Sequence, residues 1–377
     1  MKPIQMVDLK GQYEKIKQDV DAGIQQVIDS TSFVKGGKVT EFQAALEQYL
    51  GVKHVIPTGN GTDALQIALM GLGLKPGDEV ITPTFTFIAT AEVVALLGLT
   101  PVVVDVDART FNMDLKAVER AITPKTKAIV PVHLFGQNAD MEALLNLAHN
   151  HHLYVVEDAC QSIGATYTFS NGTQKKSGCM GHIGCTSFFP SKNLGCYGDG
   201  GAIFTDDDEL ADRMRAIANH GMVVRYHHDF IGVNSRLDSI QAAILLAKLP
   251  HLDEYIVARR KTAAYYNNAF AGCDKIETPY TAPNTDHVFH QYTVKLHNVD
   301  RAALQAGLKE RGIPAMIYYP IPLHLQKAYH DPRYKQGDFP VAEALCASVL
   351  SLPMHTELDE EQLDYICRSV LELVQSC

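Results

Sequence analysis

Between residues 54 and 205, short runs of β-branched and other apolar residues alternate with stretches of helical period, and this alternation is what most narrows the folds open to the chain. Runs that are apolar throughout, rather than at every second position, suit strands buried on both faces. The helical stretches between them supply the crossovers that parallel strands need. Seven runs read as strands: 54–57, 79–82, 101–106, 127–132, 154–156, 185–189 and 202–205. Helices are expected between them at 62–72, 89–97, 115–122 and 141–150, with Asn60, Thr90 and Asp140 as capping residues. The expectation is an α/β fold with one seven-stranded, mostly parallel sheet. In such a sheet ligands gather at the carboxyl ends of the strands, so the residues just after each strand carry the functional information.

On either side of this region the pattern changes. Tyr13, Ile16, Val20, Ile24, Val27 and Ile28 recur at helical spacing and predict one helix over 12–28, and a second follows the Gly36-Gly37 pair over 39–50. Beyond the sheet, 239–249 and 253–261 read as one long helix interrupted at Pro250, and the Pro- and Thr-rich stretch 278–286 reads as a hinge. A strand at 291–296 and helices at 302–311 and 360–374 complete a smaller α/β unit. The organisation expected is a large domain over 1–250 and a small C-terminal domain over 251–377.

The charge balance removes one class of function: 33 basic against 43 acidic residues leave a formal charge of −10, with no compact run of Lys and Arg to neutralise a phosphate backbone. Nucleic acid is not expected as a partner. Nor does any segment have the apolar length of a signal peptide or a membrane span, so no membrane association and a cytoplasmic location are expected. Among eight cysteines, Cys179, Cys185 and Cys196 are spaced by 6 and 11 positions, which matches no zinc pattern; they read as small buried apolar residues. The adjacent His227 and His228 likewise lack the acidic or thiol company of a metal site, and no metal is expected.

Three strand ends carry chemistry. Thr58-Gly59-Asn60-Gly61-Thr62-Asp63 leads straight into the apolar helix from Ala64, where glycines permit close backbone approach and a helix start offers free N–H groups to an anion. It matches neither a GxGxxG nor a GxxxxGK[ST] pattern. Val155-Val156-Glu157-Asp158 is an apolar strand ending on two acids, and a carboxylate there needs a cationic partner or a solvated loop. In Ser187-Phe188-Phe189-Pro190-Ser191-Lys192-Asn193-Leu194-Gly195 a single Lys sits among Ser, Pro and Gly with aromatic residues upstream, and desolvation by such neighbours frees an amine for Schiff-base chemistry. An anion nest, a buried carboxylate and a desolvated lysine on one rim match the phosphate, pyridine nitrogen and aldehyde of pyridoxal 5′-phosphate.

With these motifs the chain resembles the DegT/DnrJ/StrS family of nucleotide-sugar aminotransferases, which have the fold type I architecture of aspartate aminotransferase. The resemblance runs from Val7-Asp8-Leu9 to Tyr319-Pro320. It implies that Lys192 bonds covalently to the cofactor and shuttles the substrate proton, and that Asp158 keeps the pyridine nitrogen protonated. Gln161 would bond the ring's phenolic oxygen, Phe87 would stack on the ring, and Gly61, Thr62 and Ser187 would bind the phosphate. Asn234 would reach the phosphate of the neighbouring subunit, which implies a homodimer with shared active sites. A regulatory or binding protein that kept the fold without the chemistry would be expected to lose Lys192 or Asp158, and both are present.

Within the family, the run from Tyr226 to Asp238 and the Tyr319-Pro320-Ile321-Pro322-Leu323-His324 stretch look most like members that act at C3 of the sugar. The opening segments resemble the aminotransferases for UDP-2-acetamido-2-deoxy-3-oxo-glucuronate, which serve surface-polysaccharide sugars. Ser191, Arg236, Tyr318, Tyr319 and Phe33 are the substrate candidates on that likeness, with L-glutamate as the implied amino donor. Arg236 has the planar donor fork that suits a carboxylate. Tyr318 stands where the glucuronate enzymes carry His, and Phe33 where they carry Tyr, so a dTDP-linked 3-oxo-6-deoxyhexose is the alternative substrate.

Overall fold

The computed structural model describes residues 2–329 and 331–376. Seven strands form one sheet: β1 (His54–Thr58), β2 (Glu79–Pro83), β3 (Thr100–Val104), β4 (Thr126–Ile129), β5 (Tyr154–Asp158), β6 (Ile183–Ser187) and β7 (Gly201–Thr205), in the order β1-β7-β6-β5-β4-β2-β3. Every neighbouring pair is parallel except the two that involve β7, which runs against both β6 and β1. Because it reverses twice, β1 still points the same way as β5 and β6. Their carboxyl ends therefore lie along one edge: Asp158 pairs with Cys185, Ser187 with Gly201, and Gly201 with Thr58.

The uniformly apolar runs have their predicted cause. Val55, Val80, Ile81, Ile129, Val155, Val156, Ile183 and Ile203 are all buried. Helices Gly61–Gly71 and Asp208–Ile217 share one core cluster with the sheet, and Met141–Asn150 and Gly37–Leu50 contribute to two others. Each such aliphatic side chain contributes about 1.5–3 kcal/mol when removed from water. These contacts fix the strand ends with little freedom.

A second, antiparallel sheet is built from β8 (Ile276–Glu277), β9 (Tyr292–Leu296) and β10 (Val349–Leu352). It shares its own core with helices Leu252–Phe270, Arg301–Glu310 and Glu360–Ser376. The stretch 278–286, expected as a hinge, is fastened to the large sheet's flank: Ala282 N–H donates to Gln137 Oε1 at 2.7 Å and Asn138 Nδ2 to Thr285 Oγ1 at 2.8 Å. The chain thus returns to the flank of the seven-stranded sheet before β9 begins. Among the described residues, no helix is long and apolar enough to cross a membrane.

Some local expectations are corrected. The helix expected over 12–28 is two, Leu9–Lys15 and Lys17–Ser30, because Ile16 leaves helical geometry (φ −117°, ψ 17°) and its side chain is buried. The run expected as a strand to Val132 leaves the ladder at Ile129, since Pro131 has no N–H to pair; Val132 makes only an isolated bridge to Asp158. Thr90 does not cap a helix. It lies inside Ala89–Leu96, where its hydroxyl has another use.

Candidate active site

At the end of β1, Asn60 caps helix Gly61–Gly71 by accepting the Asp63 N–H at 2.8 Å. That leaves the Gly61 and Thr62 N–H groups without an acceptor among the described residues, at the positive end of the helix dipole. Gly61 is required by the protein itself rather than by a ligand: a Cβ there would lie 2.8 Å from Ser187 Cβ and 2.9 Å from Cys160 Sγ. The three strand ends can converge because this residue has no side chain. Ser235 braces the turn, accepting the Gly59 N–H at 2.9 Å and donating to Asp63 Oδ2 at 2.6 Å.

The two acids that end β5 alternate to opposite sides of the strand and have opposite fates. Glu157 is fully buried and satisfied: it accepts the N–H groups of Gly178 at 2.9 Å and Met180 at 2.6 Å, and lies 2.8 Å from His133 Nε2. Since His133 Nδ1 accepts from Ala139 N–H, the imidazole proton is on Nε2 and is donated to Glu157. Asp158 faces the cavity and is only 6% exposed, accepting the Thr90 hydroxyl on Oδ2 at 2.8 Å and the Cys160 N–H on Oδ1 at 3.2 Å. Among the described residues no cationic side chain pairs with it. A buried carboxylate that no cation contacts directly is costly to keep, so this arrangement suits a cation brought in by a ligand.

After β6 the chain turns back on itself: Lys192 N–H bonds the Phe189 carbonyl at 2.8 Å and Cys196 N–H the Phe188 carbonyl at 2.8 Å. The Lys192 amine faces the same cavity as Asp158, and no hydrogen bond or ion pair engages it among the described residues. Burial pushes its ammonium below the ordinary lysine range, while the nearby Cys160 and Asp158 act in the opposite direction. The net effect favours a neutral, nucleophilic amine.

These groups open into a cavity of about 670 Å³. It gathers ten of the residues expected from sequence: Gly61, Thr62, Phe87, Asp158, Gln161, Ser187, Ser191, Lys192, Tyr318 and Tyr319. The Phe87 ring is 54% exposed, an apolar face open to whatever fills the space. Gln161 is held from two sides, accepting Phe135 N–H on Oε1 at 2.8 Å and donating to the Tyr319 hydroxyl at 3.1 Å; one N–H remains. Sequence reasoning missed Thr90 behind Asp158 and His290, which lines the cavity with its Nδ1 buried and unpartnered. His290 comes from the chain beyond the large sheet, and no local pattern marks it.

Three expected residues lie outside this cavity. Phe33 is 44% exposed, with its carbonyl accepting Ser239 N–H at 3.0 Å; Asn234 is exposed, and Arg236 is half-buried. Their segments are joined, since Val34 bridges Asp238 and Lys35 Nζ donates to Asn219 Oδ1, next to the Asn219–Asn234 bridge. Val34, Tyr226 and Ile231 on these segments are exposed as well.

The residues in the cavity fit pyridoxal 5′-phosphate: unpaired helix-start N–H groups for an anion, a buried carboxylate for a pyridinium, and a desolvated amine for an aldehyde. Comparison with known proteins agrees. The chain is 50% identical over 367 residues to the UDP-2-acetamido-2-deoxy-3-oxo-D-glucuronate aminotransferase of Pseudomonas aeruginosa, covering 97% of this chain and 99% of that one. It is 47% identical to the UDP-N-acetyl-3-dehydro-alpha-D-glucosamine 3-aminotransferase of Acidithiobacillus ferrooxidans, covering 96% and 95% respectively. A crystal structure of Streptomyces venezuelae DesV in complex with a ketimine intermediate superposes with a TM-score of 0.94 at 42% identity, covering 100% of this chain and 99% of that one. Residues 14–371 match the DegT/DnrJ/EryC1/StrS aminotransferase family, and with its fold and cavity chemistry in agreement the chain belongs to that family.

Proposed function

We propose that this aminotransferase moves an amino group from L-glutamate to the C3 ketone of a UDP-linked 2-acetamido-2-deoxy-3-oxo sugar, with the 3-oxo-glucuronate as the favoured substrate. Two relatives at 50% and 47% identity, each matched nearly end to end, bear names that share the UDP-linked, N-acetylated, 3-oxo sugar and differ at C6. The observation that carries the catalytic part of the reading is the convergence of Lys192, Asp158 and the Gly61–Thr62 N–H groups on one cavity.

When bound, pyridoxal 5′-phosphate supplies the amine carrier and electron sink for the exchange. Gly61, Thr62 and Ser187 would hold its phosphate, and Phe87 would cover one face of its ring. Asp158, fixed by Thr90 and the Cys160 N–H, would hold a proton at the ring nitrogen; the ionised carboxylate is the form that does so. Gln161 has one N–H to offer the ring's phenolic oxygen. Lys192 would anchor the group and move a proton at Nζ, with burial lowering its ammonium below the ordinary lysine range. Tyr318, Tyr319 and Ser191, which line the same cavity, would face the substrate.

The Asn234 and Arg236 segment would serve the cavity of a second copy, so that the working unit is a homodimer. Its exposure and the apolar residues beside it support this reading. The test is a glutamate-coupled assay across UDP- and dTDP-linked 3-oxo sugars with a carboxylate, a hydroxymethyl or a methyl at C6. Highest kcat/KM with the UDP-linked uronate is expected; preference for a dTDP-linked 6-deoxyhexose would replace the substrate part of the proposal.

A further inference from the structure

The catalytic loop is gripped from behind by a buried cation that the chemistry above does not use. Lys248 is the last residue of helix Ser239–Lys248 and is 1% exposed. Its Nζ donates to the Gly195 carbonyl at 2.8 Å and sits 4.6 Å from the centre of the Tyr197 ring. No backbone N–H reaches that carbonyl among the described residues. Gly195 in turn lies directly on the outgoing leg of the loop: a Cβ there would be 2.4 Å from the Pro190 carbonyl oxygen and 2.8 Å from that of Phe189. Phe189 carries the carbonyl that bonds Lys192 N–H. A restraint applied at Gly195 is therefore passed to Lys192 through two backbone contacts.

The same helix grips the loop a second time, where Gln241 Oε1 accepts Tyr197 N–H at 2.9 Å. Among the described residues no carboxylate pairs with Lys248, and burial pushes its ammonium down to about 8. A buried ammonium held by one carbonyl and a ring face, with no carboxylate partner, is costlier than a packed apolar side chain of the same volume, which points to a use beyond stability. Although it occupies the last turn of its helix, the amine spans to Gly195 instead of capping its own carbonyls.

We propose that Lys248 is a positioning residue for Lys192, holding the loop 188–196 so that the Lys192 amine stays directed into the cavity. The inference rests on the proposed use of Lys192. Its test separates capture of the aldehyde from binding of the rest of the cofactor. Full-length chain stripped of cofactor is mixed with pyridoxal phosphate and quenched with borohydride at timed intervals. The Lys192 amine adds to the aldehyde carbon, a C=N bond forms as one water leaves, and hydride reduces it to a secondary amine that is counted on the Lys192 peptide by mass spectrometry. Affinity for pyridoxamine phosphate, which has no aldehyde, is measured in parallel.

In Lys248→Met the Lys192 labelling rate should fall about tenfold or more, the range expected when a supporting contact is lost, while pyridoxamine phosphate affinity stays within about twofold. Lys248→Gln, which keeps a polar donor in the buried site, serves if the Met variant does not fold. Labelling at the parent rate, or labelling and affinity falling together by the same factor, would overturn the proposal. A parent chain that does not label at Lys192 at all would instead overturn the proposed function, so the two failures are distinguishable.

Discussion

The two sides of the proposed site differ in how they are built. The side made by Gly61, Asp158, Ser187 and Lys192 sits at strand ends of one sheet, buried and cross-braced within a single chain. On the other side, Phe33, Asn234 and Arg236 do not line the cavity and are carried on connecting segments joined to one another, with Ser235 between the last two fastening their segment to the turn at Asp63. On the proposed reading, one chain supplies most of the cofactor framework together with Ser191, Tyr318 and Tyr319, whereas Asn234 and Arg236 lie on segments that a second chain would bring. Chemistry common to a family is well placed on a rigid sheet, and specificity on loops that vary without disturbing it.

The sharpest way to separate the two sides is at Lys192. Lys192→Ala should abolish steady-state transamination while pyridoxamine phosphate still binds, because the contacts of Gly61, Thr62, Ser187 and Asp158 remain. Measurable turnover in that variant would remove the rigid side's claim to the chemistry.

Asp158→Asn comes next, with an expected loss of several orders of magnitude in kcat, since a neutral amide does not hold the ring proton. A loss below about tenfold, or 1.4 kcal/mol, would count against its role. The same variant has a pH signature. Burial lowers the Lys192 ammonium from the ordinary 10.5 and the Asp158 carboxylate opposes that, so the rising limb of aldehyde capture against pH should lie below 10.5 and move lower still in Asp158→Asn. Between the folded and unfolded values the unfolded chain binds more protons at Lys192, so this group's contribution to cofactor-free stability rises with pH across that window. Capture that follows an ordinary lysine titration would contradict the burial assigned here.

Arg236 probes the other side and should have a smaller, selective effect. Arg236→Lys keeps the charge but loses the fork, and should reduce kcat/KM for a 3-oxo-uronate by about ten- to a hundredfold while sparing the matching sugar with a neutral C6. Equal losses on both sugars would assign Arg236 a contact other than the carboxylate. The smallest effect is expected from Thr90→Val, which removes one of the two hydrogen bonds to Asp158. A decrease of up to about tenfold in kcat with little change in KM follows from a charge-assisted bond of about 1.5 kcal/mol.

The sequence shows the sheet clearly because burial on both faces leaves uninterrupted apolar runs, and it marks Lys192 and the Glu157-Asp158 pair as candidates because each stands at or just after the end of an apolar strand. It does not show which of Glu157 and Asp158 faces the cavity. That depends on the side of β5 from which helix Gly61–Gly71 approaches, and the family resemblance rather than the local pattern selected Asp158. Thr90 was legible only as a helix cap, since its bond to Asp158 spans 68 positions. The break at Ile16 and the strand end before Pro131 are likewise decided by tertiary packing and by a missing N–H. Tyr319 and His290 reach the cavity from beyond the sheet, where no periodicity points back to it.

Whether the exposed segment completes a neighbour's site is tested most directly by mixing two inactive chains. Lys192→Ala chains retain Asn234, and Asn234→Ala chains retain Lys192, so a mixed dimer with shared sites contains one intact site and one doubly altered site. After equal mixing and verified subunit exchange under limiting cofactor, activity should recover to about one quarter of the parent, because half the dimers are mixed and each has one of two sites working. No recovery above the sum of the two unmixed variants would contradict the account and show that each site is built from a single chain.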